Sequence, residues 1–386
     1  MTGVRRQDDG AKAAGTLAGG RLSIDRAALA ANWRRIAAHV APAECAGVVK
    51  ANAYGLGARA IVPALAEAGC ATFFVALPCE GRTVRAAAPK ARIFMLSGIA
   101  PEWLDAAIES ELVPVLGSVE QAALWAERGG GRPCGLQVDT GMNRLGLRVD
   151  EALALASHAG LRAKLTIVHV MSHFACAEQP DHPMNRAQME SFQPVLAAFS
   201  GIESSFSNSA ATLFGGAFGC SMVRPGIALY GGGDMPEAIA PMRNVVTLEG
   251  RIMQIRTARA GETVSYGATQ TLGRDTTIAV VAVGYADGYP RAGSGTGVPL
   301  RMAVPGGLCG VIAGLRAPVL GRVTMDLTAF DVTEVPHAAL EGGWIELIGP
   351  HMPLDDVARA CGTIGYELLT SLGPRYARDY LPASEE

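Results

Sequence analysis

Between about residues 44 and 224 the chain alternates short, continuously apolar runs with Ala-rich segments whose apolar positions recur at helical spacing. Continuous runs suit strands buried on both faces, and the intervening segments suit helices that cover those faces. Strands are expected to end near Lys50, Leu77, Leu96, Leu116, Asp139, Val170, Phe206 and Val223, with helices over 58–68 and 119–128 among the connections. Eight strand–helix repeats in so short a stretch favour a closed (β/α)8 TIM-type barrel over an open doubly wound sheet.

After about residue 244 the texture changes. Segments 245–255, 276–283, 317–332 and 344–348 are rich in strand-forming residues and separated by Gly and Pro turns, which predicts a second, mostly β domain. The division expected is a flexible tail over 1–20, a barrel domain over 21–244 and a β-rich C-terminal domain over 245–386. Residues 21–24 read as a strand that precedes the barrel's own first strand, and its expected partner is the C-terminal domain.

Composition narrows the function. In 386 residues, 49% are hydrophobic and 18% charged, which excludes a disordered or fibrous chain. A net charge of -3 with scattered basic residues argues against nucleic acid or an anionic membrane as partner, leaving a small molecule. The eight cysteines are widely spaced, without zinc or redox patterns, and are expected to be buried, reduced thiols, with no metal site. No apolar run reaches the roughly 18 residues needed for a membrane span. The N-terminal Arg5 and Arg6 lack the apolar stretch of an export signal, so a cytoplasmic enzyme is expected.

A barrel of this class carries its chemistry at the C-terminal ends of its strands. Of the four lysines, Lys12 lies in the tail, and Lys90 and Lys164 precede apolar runs. Lys50 alone closes a strand, in "VVKANAYGLG". An exposed lysine with a snorkelling chain is the plainer alternative. A desolvated amine at the barrel mouth has a lowered pKa and can form a Schiff base, serving either aldol chemistry or pyridoxal 5'-phosphate (PLP). The second option needs a phosphate cup. "SNSAATL", placed to open a helix after strand seven, and "VRPGIALYG", after strand eight, offer one, although "SNSA" is also an ordinary helix cap.

These stretches, with "DTGMNRLG", "SHFACAE", "VSYGAT", "VGYADGYPR", "GRVTMD" and "GTIGYELLTSLGPRY", run in order from about residue 22 to 380. The sequence thereby resembles the bacterial alanine racemases. The resemblance implies a barrel plus a β domain, a PLP cofactor, alanine as substrate, and a homodimer whose active sites are each built from both chains.

Racemisation removes the Cα proton from one face and returns one on the other, so it needs two bases and an electron sink. The resemblance implies Lys50 as PLP lysine and base on one face, and Tyr266 as base on the other. A phenol with a pKa near 10 is a poor base at neutral pH, and His173 and Arg224 are implied as the groups that support it. Taken alone, His173 reads as a packed core histidine, Tyr266 as a strand tyrosine and Arg224 as a loop arginine. Arg224 is implied to face the cofactor ring nitrogen; a guanidinium cannot supply that nitrogen with a proton, which weakens the electron sink and disfavours transamination. The cofactor is further implied to be held by Tyr54, Asn208, Ser209, Gly226, Ile227 and Tyr366. Arg144 is implied at the cofactor phenolic oxygen and the substrate carboxylate. The N–H of Met325, beside Asp326 and contributed by the partner chain, is implied as the carboxylate's other donor, and Tyr285 is implied to narrow the entrance.

One position departs from the family pattern. Many members carry, seven residues before that arginine, a lysine modified to a carbamate that braces it. Gln137 stands there in this chain, and its amide could accept a hydrogen bond from Arg144 without neutralising it. Three other readings remain beside alanine racemase: a racemase of broader amino-acid range, a PLP-dependent decarboxylase, and a non-catalytic PLP carrier. Arg224 opposes the decarboxylase, which usually places a carboxylate at the ring nitrogen. The second domain and Tyr266 oppose the carrier.

Overall fold

The computed structural model describes residues 17–233, 242–296, 307–341 and 343–382. Most of the tail expected over 1–20 lies outside these residues. The chain divides into two compact units, residues 29–243 and residues 1–28 with 244–386.

The first unit is a parallel barrel. Strands Thr72–Val75, Arg92–Met95, Val113–Leu116, Pro133–Asp139, Thr166–Met171, Glu203–Ser205 and Met222–Val223 pair in sequence order. An eighth strand, interrupted at Ala46, closes the ring: its first segment, Glu44–Cys45, pairs with Met222–Val223, and its second, Gly47–Val48, pairs with Thr72–Val75. These strands end within two residues of the positions expected from the apolar pattern. The reason is visible in Thr72–Val75 and Val113–Leu116, where every residue is buried. Both faces of such strands must be apolar, because one looks into the barrel and the other meets the helices. The connecting helices carry ordinary signals. Ser118 caps Val119–Arg128 by accepting from Gln121 N at 3.2 Å, and Ala58–Glu67 buries Ile61, Val62, Ala64 and Leu65 along one stripe.

The second unit is an eight-stranded sheet in which nearly all pairings are antiparallel. Its long strand Val246–Ala258 pairs antiparallel with Gly20–Asp25, which in turn pairs in parallel with Ala377–Leu381. Residues 20–25 thus belong to this unit, because both of their hydrogen-bonding edges are taken by C-terminal strands. Gly20 is required there by close approach, since a Cβ would stand 2.7 Å from the Tyr376 ring.

All eight cysteines are free. They are not all buried, however: Cys79 is exposed and Cys176 half-buried. Burial pushes the Cys70, Cys134 and Cys361 thiols up to about 12, so these behave as small apolar side chains. Among the described residues no helix is long and apolar enough to cross a membrane.

Candidate active site

Lys50 emerges directly after the strand segment Gly47–Val48. The chain then does something its sequence does not announce. Ala51, Asn52, Ala53 and Tyr54 all have φ between 52° and 55°, a left-handed turn of four consecutive non-glycine residues. Each such residue costs roughly 1–2 kcal/mol, so the turn persists only because its surroundings hold it. Glu80 is the main brace. One of its carboxylate oxygens accepts from Ala51 N at 2.6 Å, and the other accepts from Ala76 N and Leu77 N at 2.7 and 3.1 Å. Asn52 accepts from Ala58 N at 2.9 Å. Ala51 is exposed, so Ala51→Gly loses no packing and is expected to stabilise by about 1 kcal/mol. That corresponds to ~2–4 °C in the thermal midpoint. Ala51→Val is expected to lower the midpoint, and thermal melts of the two variants check the sign.

The turn delivers Tyr54 into the barrel mouth. Its ring packs 4.8 Å from Tyr230, which is itself pinned by a hydrogen bond from its hydroxyl to Val48 O. The Tyr54 hydroxyl lies so close to Gly226 that a Cβ there would stand 2.0 Å from it. Ser209 reaches the same place, its hydroxyl accepting from Gly226 N at 2.8 Å and Ala228 N at 3.3 Å. The N–H of Ile227 has no acceptor among the described residues. Two hydroxyls and backbone amides therefore converge where an anionic group would sit. The Asn208 side chain caps helix Ser209–Gly215, its oxygen accepting from Ala211 N at 3.0 Å.

Arg224, 4% exposed, is fixed by both terminal nitrogens. Nη2 donates to Ser172 O at 2.7 Å and to His173 Nδ1 at 3.1 Å, while Nη1 donates to the Ser205 hydroxyl. Of the five guanidinium N–H groups, Nε–H and the second N–H of Nη1 make no hydrogen bond among the described residues, so donors are left to serve a ligand. Because a guanidinium only donates, His173 Nδ1 must accept, which makes His173 neutral with its proton on Nε2. Burial, and then the cationic Arg224, Arg144 and Lys50, hold the His173 pKa well below its ordinary value, in agreement. Burial pulls Arg224 down to about 10, which leaves it cationic at neutral pH.

The same field acts on Lys50. Burial lowers its pKa first, Arg144 and Arg224 lower it further, and Glu80 opposes them. Three mutually repelling cations with one nearby carboxylate suit an anionic ligand, and the weakened ammonium suits an amine that must lose a proton to react. PLP, a phosphate ester with an aldehyde and a ring nitrogen, matches this donor set. Glu80, Ser172 and Ser205 escaped sequence reasoning. Glu80 offered one signal, a carboxylate three residues into a helix that follows a strand end.

Gln137 does not brace Arg144. Its amide nitrogen lies 3.4 Å from Val138 O, and no hydrogen bond joins it to the exposed Arg144 guanidinium. The amide turns instead to the backbone of its own strand. Activity is accordingly expected to be independent of bicarbonate at constant pH; a bicarbonate-dependent rate would contradict this and point to a carbamate on another lysine.

The remaining residues of the expected site, Tyr266, Tyr285, Met325 and Tyr366, lie in the second unit. Tyr266 opens the short turn Tyr266–Ala268, where the flanking Ser265 and the closing Ala268 have positive φ, and it is 73% exposed. Met325 is 54% exposed, and its N–H has no acceptor among the described residues. Its carbonyl accepts from Ala286 N at 3.0 Å, which ties its loop to the turn that carries Tyr285. Tyr366 is half-buried on helix Gly365–Ser371.

Comparison with known proteins bears on both units. Residues 24–234 match the family "Alanine racemase, N-terminal domain" and residues 245–380 match "Alanine racemase, C-terminal domain". The biosynthetic alanine racemase of Agrobacterium fabrum is 52% identical over 370 residues, covering 95% of this chain and 94% of the relative. An alanine racemase of Rhizobium meliloti is 50% identical over 369 residues, 94% of this chain and 97% of the relative. Among solved structures, an alanine racemase of Bartonella henselae with covalently bound pyridoxal phosphate superimposes with a TM-score of 0.85 at 38% identity, over 94% of this chain and 100% of that one. Both units are matched in order across nearly the whole length, and on that ground the chain belongs to the alanine racemase family.

Proposed function

We propose that this protein interconverts L-alanine and D-alanine as a PLP-dependent, cytoplasmic homodimer. The observation that carries the reading is the fixed pair of Arg224 and a neutral His173 beside a lysine whose ammonium is destabilised by burial. When bound, PLP supplies the sink for the electron pair left as the Cα proton departs.

The chain's own groups do the rest. Lys50 holds the cofactor covalently, and Tyr54, Asn208, Ser209, Gly226, Ile227 and Tyr366 hold its phosphate end. Arg224 turns its unbonded Nε–H toward the ring nitrogen and has no lone pair with which to relay a proton there. Arg144 and the Met325 N–H orient the substrate carboxylate, and Tyr285 narrows the entrance. The Lys50 amine takes or returns the Cα proton on one face, and the Tyr266 hydroxyl does so on the other. His173, with its proton on Nε2, can donate to the Tyr266 oxygen and so favour its ionised form. The exposure of Tyr266 and Met325 on their own unit fits residues that complete a site in a second copy of the chain.

The test is incubation of the purified holoenzyme with each common L-amino acid, reading chirality. Appearance of D-alanine with little change in other amino acids supports the reading; broad racemisation, carbon dioxide release or no turnover would support its three rivals in turn. Borohydride reduction and peptide mapping should place the cofactor on Lys50, and label on Lys90 or Lys164 would sink this site.

A further inference from the structure

Arg224 has a partner that the reading above leaves unused. The Ser205 hydroxyl that accepts from Nη1 also lies 2.6 Å from Nε2 of His169. Neither Ser205 nor His169 has any exposure. They sit on neighbouring parallel strands, Glu203–Ser205 and Thr166–Met171, inside the barrel.

The direction of each bond follows from what the groups can do. Arg224 can only donate, so Ser205 Oγ accepts from it. The Ser205 O–H then has one acceptor among the described residues, His169 Nε2. His169 is therefore neutral, with its proton on Nδ1. That nitrogen has no hydrogen-bond partner, and the nearest carboxylate oxygen, Oε2 of Glu203, is 3.9 Å away, beyond direct reach. Burial is the chief influence that draws the imidazole down to about 4, so it stays neutral through the physiological range. Its neighbours are the rings of Phe94 and Phe74, at 5.1 and 6.2 Å. An imidazole with one nitrogen unpartnered among phenyl rings is a poor choice for packing alone, where an aliphatic side chain would serve better.

We propose that His169 and Ser205 form a buried buttress that sets the orientation of Arg224, with His169 acting as a positioning residue through the Ser205 hydroxyl. Its consequence for the chemistry rests on the reading of Arg224 given above. With Nη1 held by Ser205 and Nη2 held by Ser172 and His173, the plane of the guanidinium is fixed and Nε–H is kept available for the ring nitrogen. Removing the acceptor at His169 frees the Ser205 hydroxyl to turn its proton toward Nη1, and the guanidinium must then rotate to satisfy that donor.

The experiment compares holoenzymes of wild type, His169→Leu, His169→Gln and Ser205→Ala, with Arg224→Glu as reference. Three quantities are read: pyruvate formed per racemisation event, the thermal midpoint, and the hydrogen bonds of Arg224 in crystal structures of the variants. His169→Leu and Ser205→Ala are expected to raise the pyruvate ratio several-fold and to release Arg224 from Ser172 O or His173 Nδ1. His169→Gln, whose side-chain oxygen can accept from Ser205, should return both toward wild type whatever its thermal midpoint. A purely structural role would instead move the midpoint and leave the ratio and the Arg224 hydrogen bonds unchanged, which overturns the proposal. If His169→Leu does not fold, Ser205→Ala carries both readouts. Should Arg224→Glu raise the ratio while the buttress variants change neither the ratio nor the guanidinium's position, the buttress alone fails. If Arg224→Glu leaves the ratio unchanged, the ring-nitrogen reading fails, and the crystal structures decide the buttress. An Arg224 still bonded to Ser172 O and His173 Nδ1 in His169→Leu and Ser205→Ala overturns it, and an Arg224 released from either of them supports it.

Discussion

Lys50→Ala and Tyr266→Phe homodimers are each expected to be nearly inactive, while a mixed dimer of the two regains up to about half the wild-type rate if its sites act independently. Loss of one proton-transferring group costs roughly 10²–10⁴-fold, and Lys50→Ala also removes the covalent hold on the cofactor, so its loss is the larger. In either homodimer every site lacks one of the two groups. In the mixed dimer one site carries both lesions. The other joins the intact lysine of the Tyr266→Phe chain to the intact tyrosine of the Lys50→Ala chain. The exposure of Tyr266 on the second unit, against the half-buried Lys50 at a strand end of the barrel, motivates the experiment. Co-expression followed by tag-selected purification of the heterodimer provides the sample, and mixing the parents without subunit exchange provides the control. Verified heterodimers as inactive as their parents would place both groups on one chain and sink the shared-site reading.

Arg224→Glu should retain the cofactor and lose most racemase activity, while the share of turnovers ending in pyruvate and pyridoxamine phosphate rises. A carboxylate can carry or accept a proton, so the ring nitrogen would become a stronger electron sink, and protonation could then occur on the cofactor rather than at Cα. The structure adds a cost. The new side chain would stand among Ser172 O, Ser205 and His173 with no cation supplied to replace the guanidinium, and burial of an unpaired carboxylate is expensive. A thermal midpoint lowered by several degrees is therefore expected alongside the change in products. Pyruvate and pyridoxamine phosphate are assayed together with D-alanine; an unchanged yield per racemisation event refutes the electronic argument.

Much of the barrel is legible in the sequence alone. A strand buried on both faces must be apolar throughout, so the barrel strands are visible as runs and their ends can be placed within two residues. Since chemistry in such a barrel gathers at strand C-termini, Lys50 is separated from three other lysines by position alone. The motifs "SNSAATL" and "VRPGIALYG" likewise mark the proposed anion site, because backbone amides at a helix start and a glycine at close approach leave local traces in sequence.

What the chain folded into three dimensions decided is non-local. Four left-handed residues from Ala51 to Tyr54 contain no glycine, and the strain is tolerated because Glu80, nearly thirty positions on, accepts the Ala51 N–H. Whether Gln137 replaces a carbamate depended on where its amide turned, and it turned to the backbone of its own strand. The partners of Arg224 come from the end of one strand and the loop that follows another, and only that convergence assigns the His173 proton to Nε2 and gives a buried His169 something to hold. Periodicity records which face of an element is apolar, and a motif records what its own few residues can bind. Which side chains from separate strands meet, and which way each hydrogen bond points, is settled only when tertiary packing closes the barrel around them.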